Sequence, residues 1–379
     1  MPYTSSTVNK SEKRVIFRRF GWVVIFLVGV SLLLVSHYSP SFATWYATYI
    51  FPIFPHTLGR LLGLVPFSVF EISVILIGLR FIFGVMLMII NLCSSPGRIK
   101  IMAGIRRPPV KLFYIPALIF LMFVLTTGIN YGRESFARYV GINVQPSNED
   151  ELIQLYLMLV DRAEQISSQI KTDENGYFVL RTDGLYSYAR LSMHNLNNLY
   201  GGLGTFFPQA KAPIFSQVLS HLNIGGFFSP WTMEAHYNGV MPSQSIPFVI
   251  NHELAHAAGH MREDEANFIA YLAASNSQNV DFNYSAVYVA LGYILNALQT
   301  LDREQFESLR LLLPLQLKRD FDAAGRYWAL FKGRAGEIAS RANDAYLRLN
   351  QQSDGVQSYG RMVDLLLAYY RRLIFLELN

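Results

Sequence analysis

Two stretches of this chain, Phe20 to Tyr38 and Leu112 to Tyr131, contain no Asp, Glu, Lys or Arg. A third, Phe67 to Cys93, is apolar apart from Glu71 and Arg80. Each is long enough to cross a hydrocarbon layer about 30 Å thick as a helix, and a helix satisfies its backbone polar groups without water. Residues 1–131 are therefore expected to form a membrane anchor with three transmembrane helices, at about 20–38, 67–93 and 112–131. A signal peptide is the rival reading of the first run. Its apolar stretch is long and no clear small-x-small cleavage site follows, which favours a retained anchor.

Loop charges set the orientation. Residues 1–19 carry Lys10, Lys13, Arg14, Arg18 and Arg19, and residues 94–111 carry Arg98, Lys100, Arg106, Arg107 and Lys111. The loop between the first two spans has only Arg60. The positive-inside rule puts the N-terminus and the 94–111 loop in the cytoplasm, and three crossings then put residues 132–379 outside it. Residues 1–131 hold 12 Lys+Arg and 2 Asp+Glu (net +10), and the remainder holds 20 and 25 (net −5). The basicity serves membrane orientation, so a lipid bilayer is an expected partner and nucleic acid is not. The single cysteine, Cys93, falls at the inner end of the second span, so the outer domain has no disulfide.

Two features of the anchor invite further readings. Arg80 lies inside a span, where charge is costly and normally paired, and Glu71 is nine residues away, too far for a direct pair. The aromatic, proline-broken segment from Trp45 to Pro55 reads as an interfacial hairpin at the outer surface, with substrate contact as the alternative.

The outer domain carries Asn251-His252-Glu253-Leu254-Ala255-His256-Ala257-Ala258-Gly259-His260-Met261-Arg262-Glu263-Asp264-Glu265-Ala266-Asn267. Residues four apart share a helix face, so His252 and His256 can direct two imidazoles at one metal ion. Glu253 lies about 100° further around and can serve as general base toward the water such an ion activates. This H-E-x-x-H pattern is the zincin signature, and it implies Zn2+. The apolar residues Ile246 to Ile250 suit a core helix, and Gly259 offers a left-handed helix end. The third ligand is Glu263 or Glu265. Glu263 shares a face with Asn267, which can hydrogen-bond a ligand or orient His256. The run E-x-x-A-N resembles gluzincin peptidases, a resemblance that favours Glu263, but the gap from His256 is shorter than in most of them. The choice stays open at this level.

Around the motif, helices are expected from Ser147 and Glu149–Glu151 to about Ile170, from Tyr186 to Leu199, and near 263–276, 284–300, 303–311, 315–331, 335–350 and 358–376. Tyr284 to Leu298 is nearly apolar enough for a fourth span, but it is short and contains Asn296, so a buried helix is expected. Leu222 to Met241 reads as strands. Within it Glu234, His236 and Asn238 alternate and would share one strand face, a candidate face for substrate contact. His194 and His221 read as ordinary hydrogen-bonded histidines, and His260 lies off the ligand face. Gly355 to Val363 reads as a loop entering a helix, where Tyr359 or Arg361 could stabilise an oxyanion.

Together the three spans, S-P-W-T-M-E-A, H-E-L-A-H-A-A-G-H, R-E-D-E-A-N-F-I-A-Y-L-A and G-V-Q-S-Y-G-R-M-V resemble the bacterial membrane family known as domain of unknown function 3810. The resemblance covers nearly the full length and implies a zincin-type metallopeptidase. The fold expected is mainly α, with three N-terminal transmembrane helices, then a largely helical zincin-like domain with a small β element. The function expected is hydrolysis of a peptide or protein substrate outside the cytoplasm, with His252, His256 and Glu263 on zinc and Glu253 as base. A non-catalytic membrane protein with a structural or sensory metal site is the second reading, and a closed site completed by His260 or Glu265 would favour it.

Overall fold

The computed structural model describes residues 8–106, 111–146, 148–299 and 302–377. Three of its helices are long and apolar enough to cross a membrane: Phe20–Tyr38, Val69–Leu92 and Leu112–Gly132. These boundaries lie within two residues of those expected, because hydropathy is a local property that folding does not alter.

The first span forms the upper part of the helix Val8–Tyr38 and packs against the third. Trp22 stacks on Phe113 with ring centroids 5.2 Å apart, and Phe26 meets Phe120 at 5.0 Å. Partners rise together along the two helices, so the spans run parallel, as they do when one further crossing lies between them. Past Phe123 the third span tightens and loosens, through a π-helical turn Val124–Gly128 and a 3₁₀ turn Ile129–Gly132. These turns are buried against the short helix Pro40–Tyr49, whose Tyr46 hydroxyl donates to the Leu125 carbonyl at 2.9 Å.

The expected interfacial hairpin at 45–55 is instead the end of that helix, followed by a turn and a π-helical segment Pro55–Gly59. Trp45 and Tyr49 face outward, whereas Tyr46 and Phe51 are buried. The aromatic count reads like a membrane belt, but half of these rings serve the domain interior.

The second span stands apart from the other two, with none of its most apolar stretch buried and Arg80 exposed upon it. Its first turn is held by the C-terminal domain. Ser68 caps it, and the Glu234 carboxylate accepts from the Val69 and Phe70 N–H groups at 3.0 and 2.9 Å. Glu71 answers in the other direction and accepts from the Ile214 and Phe215 N–H groups at 3.0 and 2.9 Å. Glu71 is thus engaged with the C-terminal domain and not with Arg80.

The part of the chain after the third apolar helix surrounds one core built from the helices Glu149–Ser167, Leu185–Tyr200, Ile246–Ala257, Glu263–Ser275, Val280–Leu298 and Met362–Glu377. The first begins with a reciprocal cap: Asn148 Oδ1 accepts from the Glu151 N–H and Glu151 returns the bond. Ser147, expected to open this helix, lies outside the described residues. Val280–Leu298 buries Tyr284, Ala286, Val287, Ala290, Leu291 and Ile294 completely, so it is the core helix expected and not a fourth span. Helices follow at Arg303–Leu311, Leu315–Leu330 and Arg334–Leu349, matching the amphipathic periodicity there.

The β element is a two-stranded antiparallel sheet, β1 (Gly226–Ser229) and β2 (Glu234–Tyr237), with Phe227 opposite His236. Lys211 lies along the other edge of β2: its N–H donates to Ala235 and its carbonyl accepts from Tyr237. Both edges of β2 are therefore used, and the sheet leaves one edge of β1 for the cleft described below.

Candidate metal centre

The helix Ile246–Ala257 starts with Pro247 in its first turn and packs under the sheet and against its two successors. Its end decides the site. Gly259 takes φ +87°, open to glycine at little cost, and the chain closes a Schellman turn. The Gly259 N–H donates to His256 and the His260 N–H to Ala255, at 2.9 and 3.1 Å. That turn brings the His260 carbonyl to His256 Nδ1, 2.8 Å away. A carbonyl can only accept, so Nδ1 carries a proton and Nε2 is the nitrogen left to face a metal ion.

The turn also sets the start of the next helix, Glu263–Ser275. Glu263 is its first residue, and its N–H donates to Gln352 Oε1 at 3.2 Å. Its carboxylate stands 3.1 Å from His252 Nε2 and 3.5 Å from His256 Nε2, and the two imidazole nitrogens are 3.1 Å apart. All three side chains are buried. Ligand atoms about 2.0–2.2 Å from a tetrahedral zinc ion stand roughly 3.3–3.6 Å from one another, so this trio fits such an ion.

The electrostatics agree. Burial acts to lower His256, but the Glu263 and Glu253 carboxylates outweigh it and raise its pKa to about 9. Burial acts to raise Glu263, and the two histidines hold it down at about 2. The pocket thus favours one added positive charge between these groups. Glu253 is different: burial pushes it up to about 8, and its Oε2 makes no hydrogen bond among the described residues. Its other oxygen lies against β1, where a Cβ placed on Gly226 would come within 2.6 Å of it.

Glu265 points elsewhere. It pairs with Arg262 and lies 3.5 Å from His260 Nδ1. Burial raises its carboxyl, but Arg262 and His260 prevail and hold it near 2. His260 sends its Nε2 to the Gly202 carbonyl, 3.0 Å away. The open choice between the two glutamates is therefore resolved by geometry: Glu263 joins the histidines and Glu265 does not. Asn267 hydrogen-bonds His252, and its Nδ2 donates to the Tyr293 hydroxyl at 3.2 Å.

The strand face of Glu234, His236 and Asn238, expected as a candidate for substrate contact, is covered by other parts of the chain and does not line the cleft. Alternation holds, but the face is buried on the far side of the sheet. Glu234 binds Lys211 Nζ at 2.6 Å as well as the second span. His236 Nε2 is 2.8 Å from Ser68 Oγ, and Asn238 Nδ2 donates to Ser220 Oγ at 2.9 Å. Arg361 also differs from expectation: its guanidinium pairs with Asp354 at 2.6 Å and Asp264 at 3.3 Å and does not line the cleft. The Tyr359 side chain lies outside the described residues. Gln352, Tyr293, Tyr131 and Tyr346 were not expected near the site. They come from distant segments, and nothing in their local spacing signals it.

A cleft of about 760 Å³ opens onto His252, Glu253, His256 and Glu263. β1 forms one wall. The Asn238 N–H donates to the Gly225 carbonyl at 2.7 Å, so by ladder alternation the backbone groups of Gly226 and Phe228 point away from β2. That edge begins at Gly226, which lies against Glu253.

No curated protein and no solved structure matches the chain. A family described as protein of unknown function, DUF3810, matches residues 46–367, and the chain belongs to that family.

Proposed function

We propose that this protein is a membrane-anchored zinc metallopeptidase whose site lies outside the cytoplasm. The observation that carries the reading is the convergence of His252, His256 and Glu263 next to Glu253 and the unpaired edge of β1. His252, His256 and Glu263 would hold the ion. Bound zinc would supply Lewis acidity, polarising the scissile carbonyl and easing ionisation of water. Glu253 would take the proton from the attacking water and hand it to the leaving amine; its Oε2, which makes no hydrogen bond among the described residues, is the oxygen left for that proton. The β1 edge would align the peptide through main-chain hydrogen bonds.

The second reading, a non-catalytic metal site, needs a fourth protein ligand. Its two candidates, His260 and Glu265, are turned toward Gly202 and Arg262. That favours an open coordination position and hence catalysis. The direct test is the full-length protein in lipid nanodiscs with a mixed peptide library read by mass spectrometry. Cleavage is expected that stops with chelator and returns with zinc. Zinc-bound protein that cleaves nothing would overturn the reading.

The orientation rests on the loop charges and is supported by the parallel run of the first and third spans. A reporter fused after Asn379 is expected outside the cytoplasm, and one inserted within residues 98–107 inside it. A cytoplasmic reading at Asn379 would require an even number of crossings and would contradict the proposed location.

A further inference from the structure

We propose that the cleft receives the stretch of polypeptide immediately outside the membrane span of another protein, in preference to a freely diffusing peptide. This rests on the peptidase reading above and narrows its substrate class. Two walls of the cleft carry the argument. The first is the third span itself: Phe123, Thr127 and Tyr131 line the same cleft as the metal ligands. Met261, two residues before Glu263, packs in one cluster with Val124, Ile129 and Tyr131. The ligand loop is therefore seated directly on a helix read as membrane-spanning, with no intervening layer of the outer domain.

The second wall is β1. Its N-terminal end, Gly226, abuts Glu253. Its other end runs into Pro230 and Trp231, and Trp231 meets the second and third spans of the anchor. The indole stacks on Phe70 in the first turn of the second span, at 6.4 Å and an interplanar angle of 10°. Its Nε1 donates to the Ile119 carbonyl of the third span at 3.4 Å. A chain laid along the free edge of β1 would have one end at Glu253 and the other at the anchor, about 17 Å away for five extended residues. Across the cleft, Tyr346 of the helix Arg334–Leu349 reaches back to Tyr131, with hydroxyls 3.2 Å apart, and to the Phe123 ring. Both walls thus converge on the anchor.

The surface between is aromatic: Phe227, Phe228 and Trp231, the last 41 % exposed. Amphipathic rings of this kind are at home at the level of lipid headgroups, where a juxtamembrane segment emerges. A soluble peptide would need no such approach.

The test uses full-length Glu253→Gln protein in phosphatidylethanolamine/phosphatidylglycerol nanodiscs, so that capture is read without cleavage. Single-span peptides carry a photo-reactive residue on the outer tail about 5 or about 30 residues from the span, roughly 17 or 100 Å when extended. A third peptide lacks the span. The short-spacer peptide is expected to crosslink to residues 226–231 about tenfold more than the long-spacer peptide, as tether length dilutes the tail. Capture of the span-less peptide at the same level would overturn the proposal, as would a long spacer outperforming the short one, which is what a site remote from the bilayer requires. The same peptides with wild-type protein separate this inference from the one beneath it. Hydrolysis that ignores the span sinks the juxtamembrane proposal and leaves the peptidase standing. Spacing-dependent capture without any hydrolysis supports the location and sinks the peptidase.

Discussion

Glu253→Gln is expected to keep zinc and the fold while lowering peptide hydrolysis by about 10²- to 10⁴-fold, the usual contribution of a positioned general acid–base group. The amide has nearly the same shape, so β1 and the helix Ile246–Ala257 need not move. It cannot accept the proton from the attacking water. Glu263→Gln should behave differently, because that carboxylate faces both histidines at 3.1 and 3.5 Å. Its amide would weaken zinc binding itself, whereas Glu265→Gln, remote from the trio, should affect it less. Side-by-side measurement of zinc content and turnover in the three variants checks the assignment. Unchanged turnover in Glu253→Gln would show that another group moves the proton.

The second large effect concerns the joint between anchor and domain. Glu234→Ala is expected to cost about 3–5 kcal/mol, because it strands a buried lysine at Lys211 and removes the acceptor from two N–H groups. Lys211 keeps the Leu62 and Phe67 carbonyls at 2.9 and 3.0 Å, but no counter-charge. The double variant Glu234→Leu with Lys211→Met should recover much of the loss, since replacing both members leaves no buried charge. Denaturation in detergent measures both. A neutral Glu234→Ala would mean that the joint contributes nothing.

The joint also predicts a pH dependence. Burial raises the Glu234 carboxyl, but Lys211 and the Val69 and Phe70 N–H groups outweigh it and hold the pKa below the ordinary range. Its stabilisation is therefore complete above the unfolded carboxylate pKa and disappears as pH falls through the folded value. Glu234→Gln should flatten that part of the acid transition.

The parts read correctly from sequence are those set by local periodicity. Three apolar runs are three helices long and apolar enough to cross a membrane, and i, i+4 spacing placed His252 and His256 on one face with Glu253 beside it. Glu263 and Glu265 could not be separated that way, because their directions depend on how the Gly259 turn aims the next helix. The strand at 234–238 shows the same boundary more sharply. Alternation correctly grouped Glu234 with His236, yet the cover over that face is Ser68, Val69 and Phe70, more than 160 residues earlier. Period two says which residues share a side and not what lies against it. Tyr346 reaches the cleft, and Gln352 the Glu263 N–H, from beyond residue 340, where local spacing reports nothing of the site.

The measurement that bears most directly on the central claim is the zinc content of the purified full-length protein and its histidine variants, by elemental analysis. Wild type and Glu253→Gln are expected to hold about one zinc per chain, and His252→Ala and His256→Ala none. Stoichiometric zinc retained in both histidine variants, or none in the wild type, would contradict the metal centre described here.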